Sequence, residues 1–536
     1  MLEKLLENWL DSASERSYQQ AFVQMLSARG YTVVHSTRHS ALEFGKDILA
    51  VAPNGVGCAY QLKGNPGGRL GLSQFRKEVQ PQLVQLLSQA IVFPGFPSGR
   101  HTSFLVTNGY FDEEVQRAAD DLNRNRSYPS RLQLVSRGDL LKWSKQLGAS
   151  LWPSELDVTQ QLLKLFLANP RDLLPVETLA PLVSQLLGLT VGAKRFGRAQ
   201  MDRAIPAAAL LVGIATANFA EEDNHLAMAW AWTYYIIAVL GTLERHRLRL
   251  AGTASNSVAL AEAAISDSLV ALWKEIQARE DLVEGNPLAD HDIYSWRTIT
   301  LLGAMSCLAF RHESSPCMTP SDFAELNAWL LRKGRRLNIW GEGAMASMVS
   351  WLVWIQKHEP TNWSDAQIHG LTSFIIATNQ RDSKVALANP YNSFESIYRQ
   401  TMPFGRPLKR PDKIDGSSHT ALLMYYLLAR TNLKQACRNL WPDLTRLHHR
   451  TLIPDYPWEY CSLSVRSGVD ETTVLPPEYA WSALRTDARK DCRATLPRGL
   501  TQRPWLLGLW WQIAPQRLTP DASRVFANEI LPTWGK

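Results

Sequence analysis

The feature that most constrains the fold is a change in hydrophobic periodicity near residue 150 of the 536-residue chain. Before it, short runs with two-residue alternation, such as "DILAVAP" and "GCAYQLKG", are interspersed with runs whose apolar residues recur every three or four positions. From about Asp157 strand signals nearly vanish, and long helix-periodic runs follow one another. This change predicts an α/β N-terminal domain followed by a large all-α region.

The length exceeds what one ordinary hydrophobic core accommodates, so several domains are predicted. Their boundaries are residues 1–150 for the α/β domain, 157–400 for a helical array and 417–536 for a helical and irregular lobe rich in tryptophan. The stretch 401–418 between the last two is rich in proline and glycine, as loops are. The helical runs resemble stacked helix pairs of a solenoid or an irregular array, and they have no clean fixed period.

One uncharged run of 18 residues, Leu226–Leu243, is at the lower limit for a membrane-spanning helix. A membrane-tethered effector that uses residues 206–243 is one interpretation. Two buried helices are favoured, because the preceding apolar run is short and rich in alanine. No membrane partner is therefore expected.

The six cysteines are scattered without a CxxC pair, which favours a reducing compartment over a disulfide framework. The acidic, amphipathic start "MLEKLLENWLDSASERS" lacks the basic and apolar regions of a signal peptide. We therefore expect a cytoplasmic protein. The net charge of +7 and the pI of about 9.0 are compatible with a polyanionic partner and do not prove one.

A candidate site lies in the predicted hairpin of "DILAVAP" and "GCAYQLK". Two-residue alternation places Gln61 and Lys63 on one face of the second strand, and Asp47 begins the first. A carboxylate and an amide oxygen suit Mg²⁺ or Mn²⁺, and a neighbouring lysine can position water or offset charge on a phosphate. Together they could hydrolyse a phosphodiester. The simpler alternative is a strand cap and an edge-strand lysine.

The surrounding sequence resembles the Mrr-like branch of the PD-(D/E)XK restriction-endonuclease superfamily. The resemblance runs in order through "LSARGYTVV", "FGKDILAV", "YQLKG", "SFLVTNGYFDEEVQRAADDLN" and "LQLVSRGDLLKW". It covers about residues 15–145 and does not extend to residues 157–536. It implies a restriction-endonuclease-like fold, with a mixed central sheet flanked by helices, for the N-terminal domain.

The resemblance also implies roles for the site residues. Asp47 would ligate the metal, Gln61 would take the place of the second acidic ligand, with the Leu62 carbonyl as a further ligand, and Lys63 would be the catalytic lysine. Family members often carry a glutamate on the first helix, near Gln19 of this chain.

Because this chain has glutamine at position 19, Glu15 and Glu43 are the candidates for an additional carboxylate. Glu43 is more simply interpreted as a solvated turn residue. Two basic residues close to the site, Lys46 and Arg69, are candidates for contacts with DNA phosphates. Arg69 lies in the glycine-rich "GNPGGRLG", whose alternative interpretation is a flexible loop.

The resemblance predicts a metal-dependent DNA endonuclease, an effector of a restriction or anti-phage defence system whose helical region senses a trigger or binds a partner. Cleavage of both strands needs two active sites, so a homo-oligomer is expected. The sequence carries no NTPase motif, so a separate NTPase or sensor protein would supply such steps. The alternative is a catalytically inactive nucleic-acid-binding or scaffold protein that retains the nuclease fold.

Overall fold

The computed structural model describes residues 2–36, 46–125, 128–148, 156–190, 192–193, 195–279, 282, 291–333, 341–359, 362–380, 390, 416–431, 433–463 and 469–531. The chain divides into two compact units. The first is Met1–Val239 with His246–Ile265, and the second is Leu240–Arg245 with Ser266–Lys536. The first unit thus combines the α/β region with several helices that follow it. The three-domain boundaries drawn from the sequence remain a prediction.

A mixed five-stranded sheet organises the first unit, as the sequence predicts. Its strands are β1 (Thr32–Ser36), β2 (Ile48–Val51), β3 (Gly57–Lys63), β5 (His101–Thr107) and β7 (Arg131–Val135), and the short strands β4 (Arg69–Leu70) and β6 (Tyr110–Phe111) pair separately. The spatial order is β1-β2-β3-β5-β7. Pairing is antiparallel from β1 to β3 and parallel from β3 to β7, so the predicted β2–β3 hairpin is confirmed.

Helices pack on both faces of this sheet. The helices from the start of the chain to residue 278 are α1 (Leu2–Ser12), α2 (Glu15–Ala28), α3 (Leu72–Gln74), α4 (Gln80–Ser88), α5 (Glu113–Arg124), α6 (Arg137–Gly148), α7 (Leu156–Phe166), α8 (Val176–Leu186), α9 (Arg198–Ala215), α10 (Ala217–Glu221), α11 (His225–His246) and α12 (Thr253–Ala278). The last two carry residues of both units. Alternate residues of β3 enter two cores: Tyr60 and Leu62 pack with α1, α2, α6 and α9, and Ala59 packs with α4 and α5.

The outer edge of the sheet at β7 is occupied by a side chain. The Asn123 amide, from α5, donates to the Leu132 carbonyl oxygen at 3.0 Å and accepts from the Leu132 N–H at 2.8 Å. An amide carries one donor and one acceptor side by side, so it replaces the pair of hydrogen bonds that a further strand would make. Exposed strand edges template pairing with other chains. Asn123 therefore blocks this edge.

The run that raised the membrane question is helix α11. It is the one helix in the described part of the chain that is long and apolar enough to cross a bilayer, and 94% of its apolar window is buried inside the protein. Burial of this extent agrees with a core helix, the interpretation favoured from the sequence.

The second unit is mostly helical, as predicted. Its further helices are α13 (His291–Ser314), α14 (Pro320–Lys333), α15 (Met345–His358), α16 (Asn362–Asn379), α17 (Ala421–Arg430), α18 (Lys434–Leu444), α19 (Trp481–Ala488), α20 (Arg498–Thr501), α21 (Pro504–Ile513) and α22 (Pro520–Ile530). Most of the separating loop predicted at 401–418 lies outside the described residues.

The expectation of an all-α region is wrong in one respect. A three-stranded sheet is formed by β8 (Ser417–Ser418), β9 (His448–Ile453) and β10 (Val469–Thr473). The β9 segment begins with two histidines and an arginine, and β10 contains two adjacent acids, so neither has the apolar alternation by which a strand is recognised. Their antiparallel pairing, and not their composition, makes them strands.

The second unit also encloses a buried carboxylate, Glu342, which is 2% exposed. It accepts hydrogen bonds from the Asn379 amide at 2.7 Å, the Ser418 hydroxyl at 3.2 Å, the N–H groups of His419 and Thr420 at 2.7 and 2.8 Å, and the Thr420 hydroxyl at 2.9 Å. Burial raises the pKa of Glu342, and the donors from residues 418–420 act against that rise. Glu342 thus anchors the chain that leads into α17.

Substitution of Asn123 tests the blocked edge. Asn123→Ala leaves the Leu132 N–H and carbonyl without these partners, so we expect the free energy of unfolding to fall by about 1–3 kcal/mol and light scattering on heating to rise. Gln116→Ala, an exposed amide on the same helix, is the matched control and should change neither quantity. Equal behaviour of the two variants would contradict the assigned role.

Candidate active site

Asp47 and Gln61 face each other across the β2–β3 hairpin. Ile48 is paired with Tyr60, and the Asp47 N–H donates to the Tyr60 carbonyl oxygen at 2.9 Å, so the ladder extends one residue and sets Asp47 opposite Gln61. Asp47 Oδ2 accepts from Gln61 Nε2 at 2.9 Å and from the Leu62 N–H at 2.5 Å. The structure therefore brings together two of the three residues singled out from the sequence.

Lys63, at the end of β3, lies beside a carboxylate of helix α2. Its Nζ is 3.9 Å from Glu15 Oε2, and the two side chains are 21% and 23% exposed. The same Glu15 oxygen accepts the Gly64 N–H at 3.2 Å. Of the two additional carboxylates considered from the sequence, Glu15 is therefore placed at the site, and Glu43 lies outside the described residues.

Glu15 and Gln19, both on α2, have different partners. Gln19 is buried and its Nε2 donates to the Ser36 hydroxyl at 3.2 Å, at the end of β1. Glu15 lies one helical turn earlier and reaches Lys63 instead. Residues four apart in a helix lie on the same face, so Glu15 shares a face of α2 with Gln19.

Tyr18 is a site residue that the sequence analysis missed. It is 1% exposed, and its hydroxyl is 3.3 Å from both the Lys63 and the Val106 carbonyl oxygens. Burial raises the pKa of Tyr18 well above its ordinary value, and the negative charges of Glu15 and Asp47 raise it further. The sequence feature that could have indicated Tyr18 is its spacing from Glu15: it follows Glu15 by three residues, so the two share a helix face.

Asn108, directly after the end of β5, also lies close to this strand end. It is fully buried, and its Oδ1 accepts the Asn65 N–H at 2.8 Å while its Nδ2 donates to the carbonyl oxygens of Leu10 at 2.8 Å and Ala13 at 2.6 Å. It therefore joins the end of α1 to the chain just after Lys63. The parallel pairing of β3 with β5 puts their carboxyl ends side by side and so brings Asn108 close to Asn65.

The two proposed DNA-contacting residues occupy different environments. Lys46 is half-buried next to Asp47, and burial lowers its pKa. Arg69 is 75% exposed, with its Nη1 3.9 Å from Asp112 Oδ1. Arg69 belongs to the two-residue strand β4, which pairs with β6, so this part of the glycine-rich segment has regular structure.

The atoms at this strand end that could ligate a cation are oxygens. Gln61 Nε2 lies between two of them, 2.9 Å from Asp47 Oδ2 and 3.4 Å from the Leu62 carbonyl oxygen. Gln61 Oε1 is buried and accepts no hydrogen bond from any described residue. No group of three or more His, Cys, Asp or Glu side chains with the arrangement of a metal site occurs among the described residues. Any ion here would therefore draw on amide or backbone oxygens as well as carboxylates.

Comparison with known proteins gave no relative: no protein-family model, no curated protein and no solved structure matches this chain.

Gly64 provides a test of how closely α2 approaches the strand end. A Cβ at this position would lie 2.7 Å from the Glu15 backbone nitrogen, a distance that requires the backbone to shift. We expect Gly64→Ala to lower the free energy of unfolding by about 1–3 kcal/mol, as overpacking does. In Gly197→Ala, the control, a Cβ meets nothing within 4 Å. Comparable urea midpoints for the two variants would contradict the close approach.

Proposed function

We propose that this protein is a metal-dependent DNA endonuclease that hydrolyses phosphodiester bonds. The observation that carries the proposal is the contact between Asp47 and Gln61 at the end of β3, the strand whose last residue, Lys63, lies beside Glu15. The sequence resemblance to Mrr-like PD-(D/E)XK nucleases supports it, because those are the residue types and the order that the family pattern contains. The mixed sheet flanked by helices is compatible with the restriction-endonuclease-like fold, which we propose for the first part of the chain.

The residues fit a hard divalent cation such as Mg²⁺ or Mn²⁺. The Gln61 amide nitrogen donates towards two oxygens, Asp47 Oδ2 and the Leu62 carbonyl, so its N–H groups stand where a positive charge would be stabilised. Rotation of the amide by 180° exchanges its nitrogen and oxygen, and would turn the buried Oε1 towards the same place. Asp47, Gln61 and the Leu62 carbonyl are then the candidate ligands, and such ions commonly retain several waters.

The side chains of this chain have separable roles in the proposed reaction. A bound divalent ion supplies an acidified water and offsets charge on the phosphate. Lys63 can orient the attacking water and stabilise the extra negative charge of the pentavalent phosphorus. Glu15 Oε2, 3.9 Å from the Lys63 Nζ, would hold the ammonium at the strand end. Arg69, which is exposed, and Lys46 are the proposed phosphate contacts.

The wider role is proposed from the resemblance and from symmetry. We assign the protein to a restriction or anti-phage defence system in the cytoplasm, with DNA as its substrate and no membrane partner. Cleavage of two strands favours a homo-oligomer. The helical part, which we propose to be solenoid-like, would bind a partner such as a separate NTPase or sensor protein.

One observation favours the second candidate, an inactive nucleic-acid-binding or scaffold protein. Gln61 stands where the family pattern has an acidic ligand, and its amide nitrogen donates to Asp47 Oδ2 at 2.9 Å. Because Asp47 has this hydrogen-bond partner within the protein, the fold would not need a metal for stability. The two candidates therefore differ in whether a divalent ion can displace the amide nitrogen from Asp47.

Cleavage assays with site variants test the enzyme directly. We expect plasmid DNA to be cut with Mg²⁺ or Mn²⁺, and Asp47→Ala and Lys63→Ala each to reduce the rate by about 100-fold or more. The exposed residues Asp120 and Lys142 provide controls of the same chemistry, and their alanine variants should retain full activity. DNA binding without cleavage by the wild-type protein under either metal would favour the scaffold.

A charge substitution at Gln61 tests the metal site without relying on activity. Gln61→Glu sets two carboxylates against each other across β2 and β3, so without metal we expect the melting temperature to fall. Because an ion that binds the folded state stabilises it, Mg²⁺ should raise the melting temperature of this variant more than that of the wild type. Gln133→Glu, at an exposed position of β7, is the control. An equal response to Mg²⁺ in all three proteins would contradict the site.

A further inference from the structure

Two side chains of α2 form hydrogen bonds with the C=O and the N–H of the peptide unit between Lys63 and Gly64. The Tyr18 hydroxyl is 3.3 Å from the carbonyl oxygen of this unit, and Glu15 Oε2 is 3.2 Å from its N–H. The C=O and N–H of a trans peptide point in opposite directions, so the two side chains approach from opposite edges. Because the unit is planar, two such bonds restrain the backbone dihedrals on either side of it, including those of Lys63.

The packing around this peptide allows little displacement. Gly64 lies against the first residue of α2, where a Cβ would come within 2.7 Å of the Glu15 nitrogen. The Tyr18 hydroxyl is equally close to the Val106 carbonyl oxygen on the neighbouring strand β5, so it bridges the ends of both strands. The Tyr18 ring is part of the core that contains Phe22 and Leu62, so the hydroxyl is carried by an immobile group.

Helix α2 is itself fixed at its beginning. The Ser14 hydroxyl accepts the Ser17 N–H at 3.3 Å as an N-cap. Glu221, at the end of α10, accepts from the Ser14 N–H at 3.1 Å and from the Ser17 hydroxyl at 3.0 Å. The part of α2 that bonds to the Lys63–Gly64 peptide is therefore held both by its own cap and by a second helix of the same unit.

We propose that Tyr18 is a positioning residue for Lys63, acting through the Lys63–Gly64 peptide, which it shares with Glu15. The catalytic consequence of this inference rests on the proposed nuclease function. The restraint of the peptide does not depend on that function. Tyr18 does not touch the substrate. Its hydroxyl fixes the end of β3 so that the ammonium of Lys63 stays at the place where the phosphate would be attacked, since misplacement of a catalytic group by as little as 1 Å is costly.

Tyr18→Phe tests this role because it removes the hydroxyl and keeps the buried ring. The matched control is Tyr235→Phe in the same unit: Tyr235 is fully buried and donates to the Ile205 carbonyl oxygen at 3.1 Å, outside the site. The two variants should lose similar stability. We expect kcat for Mg²⁺-dependent DNA cleavage to fall about tenfold or more in Tyr18→Phe, with KM nearly unchanged, and to be retained in Tyr235→Phe.

Amide hydrogen exchange provides a readout that is independent of activity. In Tyr18→Phe we expect faster exchange in residues 61–66, which contain the Gly64 N–H, and no such change in Tyr235→Phe. If the wild-type protein cleaves no DNA, the proposed function fails, and amide hydrogen exchange alone tests whether Tyr18 restrains the peptide. Faster exchange in Tyr18→Phe then supports the restraint, and unchanged exchange overturns it. In an active enzyme, unchanged kcat in Tyr18→Phe, or an equal loss in both variants, overturns the positioning role.

Discussion

The hydrogen bonds that Asp47 Oδ2 accepts from Gln61 and from the Leu62 N–H connect the beginning of one strand to the end of the next. A carboxylate that accepts two hydrogen bonds inside a hairpin helps to fix the register around it. The positions of Gln61, of the Leu62 carbonyl and of Lys63 all follow from that register. The remaining contacts of the site, from α1, α2 and the end of β5, act on this strand end.

The local part of the site could be predicted from the sequence, because strand alternation is a local rule. It placed Gln61 and Lys63 on one face and Asp47 near it, and the hairpin has that pairing. Tyr18 and Asn108 could not be predicted in the same way. Their partners are 45 and 43 residues distant in sequence, Lys63 and Asn65 respectively, and such contacts depend on how helices and parallel strands assemble. Their role at the site is also difficult to infer because both are buried, and a buried tyrosine is most simply interpreted as part of the core.

In the second unit the sequence pattern predicted the helices and did not predict the sheet. Long apolar runs mark α13 to α17, and α15 and α17 are buried on nearly all sides. Strands β9 and β10 are short and polar, so only their mutual pairing reveals them. Glu342 belongs to the same class: an isolated glutamate reads as a surface residue, and its burial becomes intelligible once Asn379 and residues 418–420 are seen to surround it.

Helix α2 also contacts a helix from far along the chain, and this has a consequence for how the molecule can be divided. Gly213 of α9 packs against Ala21, at a distance where a Cβ would be 3.4 Å from the Ala21 backbone, while Glu221 binds the first turn. A fragment truncated after α6 would lack both contacts and would bare an apolar stripe on the helix that carries Glu15 and Tyr18. The packing of α2 is therefore complete only after α9 and α10 have been synthesised and have folded against it.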